Sequence, residues 1–313
     1  MAINPYPSKL SLPQVNPGFA TVLEYLIAKF PAISAQVWQQ RAADGKVHWH
    51  DGSLITAASP YRPQQRVYYY REVEAEPLIP LKETILFQDE LLLVAYKPPF
   101  LPVTPGGRYV NECLQNRLRE TTGIATLQAL HRIDRATSGL VLFSVDPATS
   151  HRYHQLFETR QMDKTYQAIA RINTRDHTQD NTQDHAEELP HPPEIGRDIE
   201  VLNRLEASEP RFLMQVTEGK PNSHSLIRCL QLSGDNALFE LKPISGKTHQ
   251  LRVHMQSLGW PILHDRYYPR LQPEAADTYA QPLQLLAREL RFIDPVTQRP
   301  RAFSCDRELS LAI

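Results

Sequence analysis

Residues 131–143 are the feature that most constrains this chain, because they set a single carboxylate, Asp134, between two arginines ahead of an apolar segment. Arg132 and Arg135 favour the charged form of that aspartate, so Asp134 is predicted to act as a nucleophile or base and not as a proton donor. A turn follows, and the apolar residues 140–143 predict a buried strand. The run therefore predicts an ionised carboxylate on a rigid turn.

The length of 313 residues allows a sizeable core, and we expect one large domain and one small domain. No apolar run approaches the roughly 18 residues that span a membrane, and residues 1–5 lack the features of a signal peptide, so a cytoplasmic protein is expected. Cys113, Cys229 and Cys305 are widely spaced, which predicts buried thiols and neither a disulfide framework nor a zinc site.

Charge is distributed unevenly, although the formal net charge is only −1. Residues 176–200 carry eight acidic residues against Arg197 alone, so the rest of the chain sums to +6. Residues 101–175, which surround Asp134, hold ten Lys or Arg against six Asp or Glu. This balance is compatible with a local basic surface for phosphates. Residues 176–196 predict an exposed acidic loop, and a metal site formed by its histidines is the less favoured alternative.

Residues 18–75 predict a separate small unit. Apolar residues at helical spacing predict one amphipathic helix over residues 23–30 and a second over 37–41. A short hairpin with an Asp-Gly turn is predicted at residues 45–52, and a strand at 67–70.

This order of elements resembles an S4-type RNA-binding module, and the likeness implies Arg41 and Lys46 as its RNA contacts. A small capping domain that contacts no RNA is the alternative interpretation. The Glu- and Pro-rich residues 72–80 predict a linker. We therefore divide the chain into residues 1–76, the module with its linker, and residues 77–313, the main domain.

The main domain contains predicted strands and helices around the polar motifs. They are strands at residues 85–87 and 91–96 and a helix at residues 147–157. Residues 164–170 alternate like a strand, which places Lys164 and Tyr166 on the same side.

A second polar cluster occupies residues 243–254. Thr248 is predicted to cap a helix that runs to Leu258, and His249 and Arg252 share a polar face of that helix. The two histidines of the cluster are five positions apart and point about 140° from each other on a helix, which disfavours a shared metal ion. No metal site is expected.

These motifs together resemble the RluA-type pseudouridine synthases. Residues 131–139 are similar to the catalytic motif of that family, residues 164–166 to its Lys-x-Tyr element, and residues 246–254 to its third signature. The likeness extends in the family's order over roughly residues 82–300. Such an ordered series is specific, whereas an Arg-x-Asp-Arg sequence alone is weak.

Three positions depart from the family's pattern. Ala136 stands where an acidic residue is common, Lys247 where arginine is usual, and His264 where glycine is usual. None of these changes removes a residue expected to carry out chemistry, so they bear on the choice of RNA target more than on activity.

The resemblance implies that uridine in RNA is isomerised to pseudouridine without any cofactor. It implies Asp134 as the catalytic carboxylate, Arg252 as its ionic partner and Tyr166 as the ring that stacks on the target uracil. Attack at C1′, removal of the C2′ proton and addition to the base remain open as roles for Asp134. An exposed helix arginine and a core strand tyrosine are the structural alternatives for the other two residues.

The other cationic residues of these motifs are candidate RNA contacts, with local salt bridges as the alternative for the arginines: Arg132, Arg135, Lys164 and Lys247. The implied fold is α+β, a mostly antiparallel central sheet flanked by helices, with the small N-terminal module beside it. We expect a monomer that acts on RNA, ribosomal RNA ahead of transfer RNA. The rivals are an RNA-binding protein without turnover and a carboxylate glycosidase, for which no second carboxylate is evident.

Overall fold

The computed structural model describes residues 1–172 and 192–309, and the chain separates into two compact units. The smaller unit comprises Met1–Leu78 and Gly106–Asn111, and the larger unit comprises Ile79–Pro105 and Glu112–Ile313. Most of the predicted acidic loop at 176–196 lies outside the described residues. The likeness of the smaller unit to an S4 module stays a prediction.

The smaller unit is built from two helices and five short strands. These are β1 (Ala2–Ile3), β2 (Ser8–Ser11), α1 (Val22–Lys29), α2 (Ala35–Ala43), β3 (Val47–Trp49), β4 (Arg66–Tyr69) and β5 (Glu72–Val73). Strands β2, β4 and β3 form one antiparallel sheet in that order, and β1 pairs with β5. The two predicted helices are confirmed. The predicted linker is wrong at its start, because β5 occupies its first two residues.

Local sequence explains where the two helices of this unit begin. The Thr21 hydroxyl accepts the Glu24 amide hydrogen while the Glu24 carboxylate accepts that of Thr21, which makes a capping box at the start of α1. The Ser34 hydroxyl caps α2. Both helices pack on the sheet around Trp38, which is fully buried, and such a side chain contributes about 3 kcal/mol or more when it leaves water.

The larger unit holds three helices and eleven strands among its described residues. In chain order these are β6 (Thr84–Gln88), β7 (Leu92–Lys97), α3 (Leu114–Thr122), β8 (Gln128–Ala129), β9 (Ser138–Ser144), α4 (Ser150–Glu158), β10 (Asp163–Arg171), β11 (Asp198–Ala207), β12 (Met214–Thr217), β13 (Ser223–Ser233), β14 (Asn236–Pro243), α5 (Gln250–Ser257), β15 (Leu285–Ile293) and β16 (Pro300–Ser304).

These strands form one sheet in the order β12-β11-β13-β14-β10-β15-β9-β7-β6, with β16 beside β15 and β8 beside β9. Pairs of described strands are antiparallel except β15 with β9, which run parallel. Helices α4 and α5 pack on separate apolar clusters of this sheet. The predicted α+β fold with a mostly antiparallel sheet is confirmed.

Strand β9 fixes the end of the run that carries Asp134. All seven of its residues are buried, as predicted for its apolar core. Gly139 has a φ of 118°, and a Cβ atom there would lie 2.3 Å from the carbonyl oxygen of Ala287 on β15. Only glycine allows this close approach of the two strands, which anchors the preceding turn on the sheet.

The start of helix α5 differs from the prediction. The helix begins at Gln250, after His249, and not behind a Thr248 cap. His249 has a φ of 52°, in the left-handed region, and its side chain makes no capping bond. The His249 ring instead contacts the rings of Tyr267 and Tyr268. The polar face predicted for this helix is buried at Arg252, which is 3% exposed.

Two further predictions concern the cysteines and the membrane. The three cysteines are buried free thiols, as predicted. Of the helices in residues 1–172 and 192–309, none combines the length and the apolar character needed to cross a membrane. The cytoplasmic location stays a prediction.

Candidate active site

Asp134 lies at a cleft of about 560 Å³ in the larger unit. The turn before β9 supplies Asp134, strand β10 supplies Tyr166, and helix α5 supplies Arg252, so three parts of the fold bring these predicted residues to one cleft. A second cavity, of about 1090 Å³, is also lined by Asp134 and Arg252. The carboxylate therefore stands where two cavities adjoin, and its side chain is 30% exposed.

Arg252 contacts two carboxylates. Its Nε and Nη2 atoms donate to the two oxygens of Asp265 at 2.8 and 2.6 Å, and its Nη1 donates to Asp134 Oδ2 at 3.3 Å. Arg252 and Asp265 are 3% and 1% exposed. Burial opposes the charge of the guanidinium, but its hydrogen bonds and attraction to Asp265 and its attraction to Asp134 raise the pKa of Arg252 above the usual value.

His249 also lies close to Asp134. Its Nε2 is 3.9 Å from Asp134 Oδ2, and its Nδ1 is 3.0 Å from the Tyr268 hydroxyl. The Tyr268 hydroxyl also accepts the Met214 amide hydrogen at 2.8 Å, so it contacts both the His249 ring and the backbone at the start of β12. Burial lowers the pKa of His249 although Asp134 opposes this shift.

The left-handed backbone of His249 places its ring between Tyr268 and Asp134. A non-glycine residue rarely adopts such a φ, and these conformations cluster at functional sites. The sequence signal for a functional role of His249 was its position inside residues 246–254, which are similar to the third signature of the family.

Tyr166 lines the same cleft from β10, next to an irregularity in the pairing of β10 with β15 between Thr165 and Tyr166. Burial, with a further contribution from the charge of Asp134, raises the pKa of Tyr166 above its ordinary value. Its hydroxyl therefore keeps its proton at neutral pH.

Three of the predicted RNA contacts also line this cleft. Arg132 and Lys247 are exposed, while Lys164 is half-buried and burial lowers its pKa. Cations at the rim of a cleft are suited to phosphate groups.

Arg135 forms an ion pair with Asp277, which lies far from it in the sequence. Its guanidinium donates to both oxygens of Asp277 at 2.8 Å and to the carbonyl of Phe100 at 3.1 Å. The salt bridge that is the alternative interpretation of Arg135 is therefore present. RNA binding by Arg135 stays a prediction.

Arg41 and Lys46 belong to the smaller unit. Arg41 is 5% exposed and its Nε donates to Glu72 at 2.9 Å, and Lys46 contacts Glu72 and Asp44, both at 3.0 Å. RNA binding by these two residues stays a prediction, and the burial of Arg41 in an ion pair weighs against its part in it.

Lys97, which is buried, and His131, which is half-buried, hold the ends of the Asp134 turn. The Lys97 ammonium group donates to the carbonyls of Pro98, Leu101 and Arg135 at 2.9, 2.7 and 3.1 Å. His131 Nε2 accepts the Leu142 amide hydrogen at 3.1 Å, which ties the start of the turn to β9.

Burial lowers the pKa of both groups that hold this turn, to about 3 for His131 and well below the ordinary value for Lys97. His131 is therefore neutral at physiological pH, which leaves its Nε2 lone pair free to accept the hydrogen bond.

The departure from the family's pattern at His264 has a backbone explanation. His264 has a φ of 60°, a region that glycine enters at least cost, and its Nδ1 lies 3.1 Å from the Pro282 carbonyl.

In the ranges 1–172 and 192–309, no cluster of His, Cys, Asp or Glu is arranged to hold a metal ion.

A family model described as RNA pseudouridylate synthase matches residues 91–257, slightly more than half of the chain. The chain belongs to this family. It is of the RluA type: the dual-specificity RNA pseudouridine synthase RluA of Haemophilus influenzae is 30% identical, over 73% of this chain and 94% of that protein. The chain is accordingly an RNA pseudouridine synthase, which isomerises uridine in RNA.

Two further comparisons extend this assignment. The ribosomal large subunit pseudouridine synthase C of Yersinia pestis is 25% identical, over 87% of this chain and 84% of that protein. The solved structure of human RNA pseudouridylate synthase domain containing 4 is 26% identical, with a TM-score of 0.51, and covers 71% of this chain and 87% of that one.

Proposed function

We propose that Asp134 is the catalytic carboxylate, that Arg252 keeps it ionised and oriented, and that Tyr166 stacks on the target uracil. One observation carries this proposal: an arginine held in place by Asp265 presents its Nη1 atom to Asp134 inside a cleft that Tyr166 also lines. A charge-assisted contact of this kind stabilises the carboxylate form.

The reaction exchanges the N1–C1′ bond of uridine for a C5–C1′ bond, while C5 loses a proton and N1 gains one. Whether the carboxylate attacks C1′, takes the C2′ proton or adds to the base, it must begin ionised, which the contact with Arg252 favours. The base must leave its stack before the glycosidic bond becomes accessible, and a tyrosine ring offsets part of the lost stacking.

The test is tritium release from RNA labelled at uridine C5. Asp134→Asn should abolish release and leave the fold intact, because the side chains are nearly the same size. Glu158→Gln is the matched control, since Glu158 is an exposed carboxylate that lines the same cleft. Release by the Asp134→Asn protein would refute the role of Asp134.

We further propose that the substrate is ribosomal RNA. The match to the large-subunit enzyme covers 87% of this chain and therefore reaches into the smaller unit. The RNA contacts are assigned to Arg132, Lys164 and Lys247, which line the cleft. Mapping pseudouridine across cellular RNA with and without the gene tests this. A site that disappears from ribosomal RNA supports the proposal, and a loss confined to transfer RNA contradicts it.

A further inference from the structure

The exposed face of the β2-β4-β3 sheet carries rings and cations that the catalytic cleft does not use. Lys9 on β2, Tyr68 on β4 and His48 on β3 are opposite one another in the pairing register, so they project from the same face. Their neighbours Leu10, Val67 and Trp49 project toward the core.

Four rings make contact with one another on this face. The rings of His48 and Tyr68 are parallel to within 8°, with centroids 5.4 Å apart, and His50 stacks on Tyr68 at 5.8 Å. His50 Nδ1 also lies 3.0 Å from the Tyr68 hydroxyl, and Tyr70 contacts His48 at 6.0 Å. These contacts hold the rings in place and reduce the entropy that a stacked ligand would cost.

Two cations flank these rings. Lys9 stands beside Tyr68, and Arg66 lies two residues before it on β4, hence on the same face. Both are exposed, and neither forms a salt bridge with any residue in the described part of the chain. We name the set the aromatic face: Lys9, His48, His50, Arg66, Tyr68 and Tyr70.

Three carboxylates of the smaller unit are engaged in other contacts. Glu72 contacts Arg41 and Lys46, the Glu24 side chain closes the capping box, and Asp51 accepts hydrogen bonds from Ser53. The aromatic face therefore presents positive charge beside its rings, a combination complementary to single-stranded nucleic acid, whose phosphates pair with cations while its bases stack.

We propose that the aromatic face binds a single-stranded segment of the substrate RNA, in addition to the catalytic cleft. This inference rests on RNA being the substrate of the chain and not on the assignment of Asp134. In the smaller unit, RNA would then contact Tyr68, Lys9 and Arg66. Arg41 and Lys46, the contacts predicted from the sequence, are paired with carboxylates.

The test is equilibrium binding of the full chain to a fluorescent twelve-residue oligoadenylate, which offers no uridine to the cleft. Tyr68→Ala should weaken binding about fivefold or more, since one stacked base contributes on the order of 1 kcal/mol or more. Tyr68→Phe, which keeps the ring, should bind within about twofold of the unchanged chain. Wild-type affinity in Tyr68→Ala overturns the proposal and would leave a protein partner as the occupant.

A double variant, Lys9→Gln with Arg66→Gln, decides the question even if Tyr68→Ala does not fold, because both residues are exposed. It should reduce the slope of log affinity against log salt by about 1.4, because each single-strand phosphate that is no longer neutralised by a cation lowers the slope by about 0.7. Lys29→Gln, at the exposed end of α1, is the matched control and should leave the slope unchanged. An unchanged slope in the double variant overturns the proposal.

The outcomes for the aromatic face and for the catalytic residues are separable. Asp134→Asn should bind oligoadenylate like the unchanged chain, whereas Tyr68→Ala should keep its kcat on saturating substrate RNA and raise KM. Loss of kcat in Tyr68→Ala, with oligoadenylate binding unaltered, counts against an RNA-binding role for this face.

Discussion

Asp265 holds Arg252 through two hydrogen bonds of 2.8 and 2.6 Å, while Arg252 reaches Asp134 through one longer bond of 3.3 Å. The same Asp265 oxygen that accepts from Arg252 Nη2 also accepts the amide hydrogens of Tyr267 and Tyr268. Asp265 therefore fixes the guanidinium independently of the substrate. The single weaker contact leaves Asp134 able to exchange partners when RNA binds.

Asp265→Asn should lower the rate of pseudouridine formation about a hundredfold, because Arg252 loses its bidentate ion pair and is no longer held in the orientation in which it contacts Asp134. Single-turnover kinetics measure the rate directly, and binding of RNA should change much less. Asp277→Asn is the control, since Asp277 makes an equivalent bidentate ion pair with Arg135. Equal losses in the two variants would contradict an orienting role specific to Arg252.

Stacking on the target uracil depends on the ring of Tyr166. Tyr166→Phe keeps the ring, so we expect KM to stay unchanged, whereas Tyr166→Leu should raise KM about fivefold or more through the loss of stacking. Steady-state tritium release measures KM. An unchanged KM in Tyr166→Leu would show that the ring does not contact the base.

The motifs on either side of the cleft were predictable because each is local: a polar run, then a turn or an apolar strand. Their order in the chain identified the family. The partner of Arg135 was not predictable, because Asp277 lies 142 positions away and adjacent charges in the sequence point in different directions in the fold. The pairing of Arg252 with Asp265 and the left-handed His249 likewise depend on packing between elements.

Lys97 anchors the Asp134 turn from inside the protein. Lys97→Met keeps the length of the side chain but leaves three carbonyl groups, two of them buried, without this donor, so the free energy of unfolding should fall by about 2 kcal/mol. The turn should also loosen, because one of those carbonyls belongs to Arg135. Urea unfolding and tritium release measure the two effects. Lys82→Met, at an exposed position, should change neither, and wild-type stability in Lys97→Met would contradict the anchoring role.

Two histidines with lowered pKa values predict how stability depends on pH. Burial lowers the pKa of His131 to about 3 and that of His254 to about 4, whereas an unfolded histidine titrates near 6.5. Above about pH 6.5 both states are neutral and these groups contribute no pH dependence. Below it the unfolded chain binds more protons than the folded chain, so the free energy of unfolding falls by about 1.4 kcal/mol per pH unit for each histidine.

His131→Gln tests this dependence, since an amide oxygen can still accept the Leu142 amide hydrogen while the titrating group is removed. Urea unfolding at pH 7.0 and 5.5 should show a loss of stability on acidification that is smaller by about 1 kcal/mol in this variant than in the unchanged chain. His151→Gln, at an exposed position on α4, should leave the difference as it is. The same pH dependence in His131→Gln and in the unchanged chain would mean that His131 is not held neutral by burial.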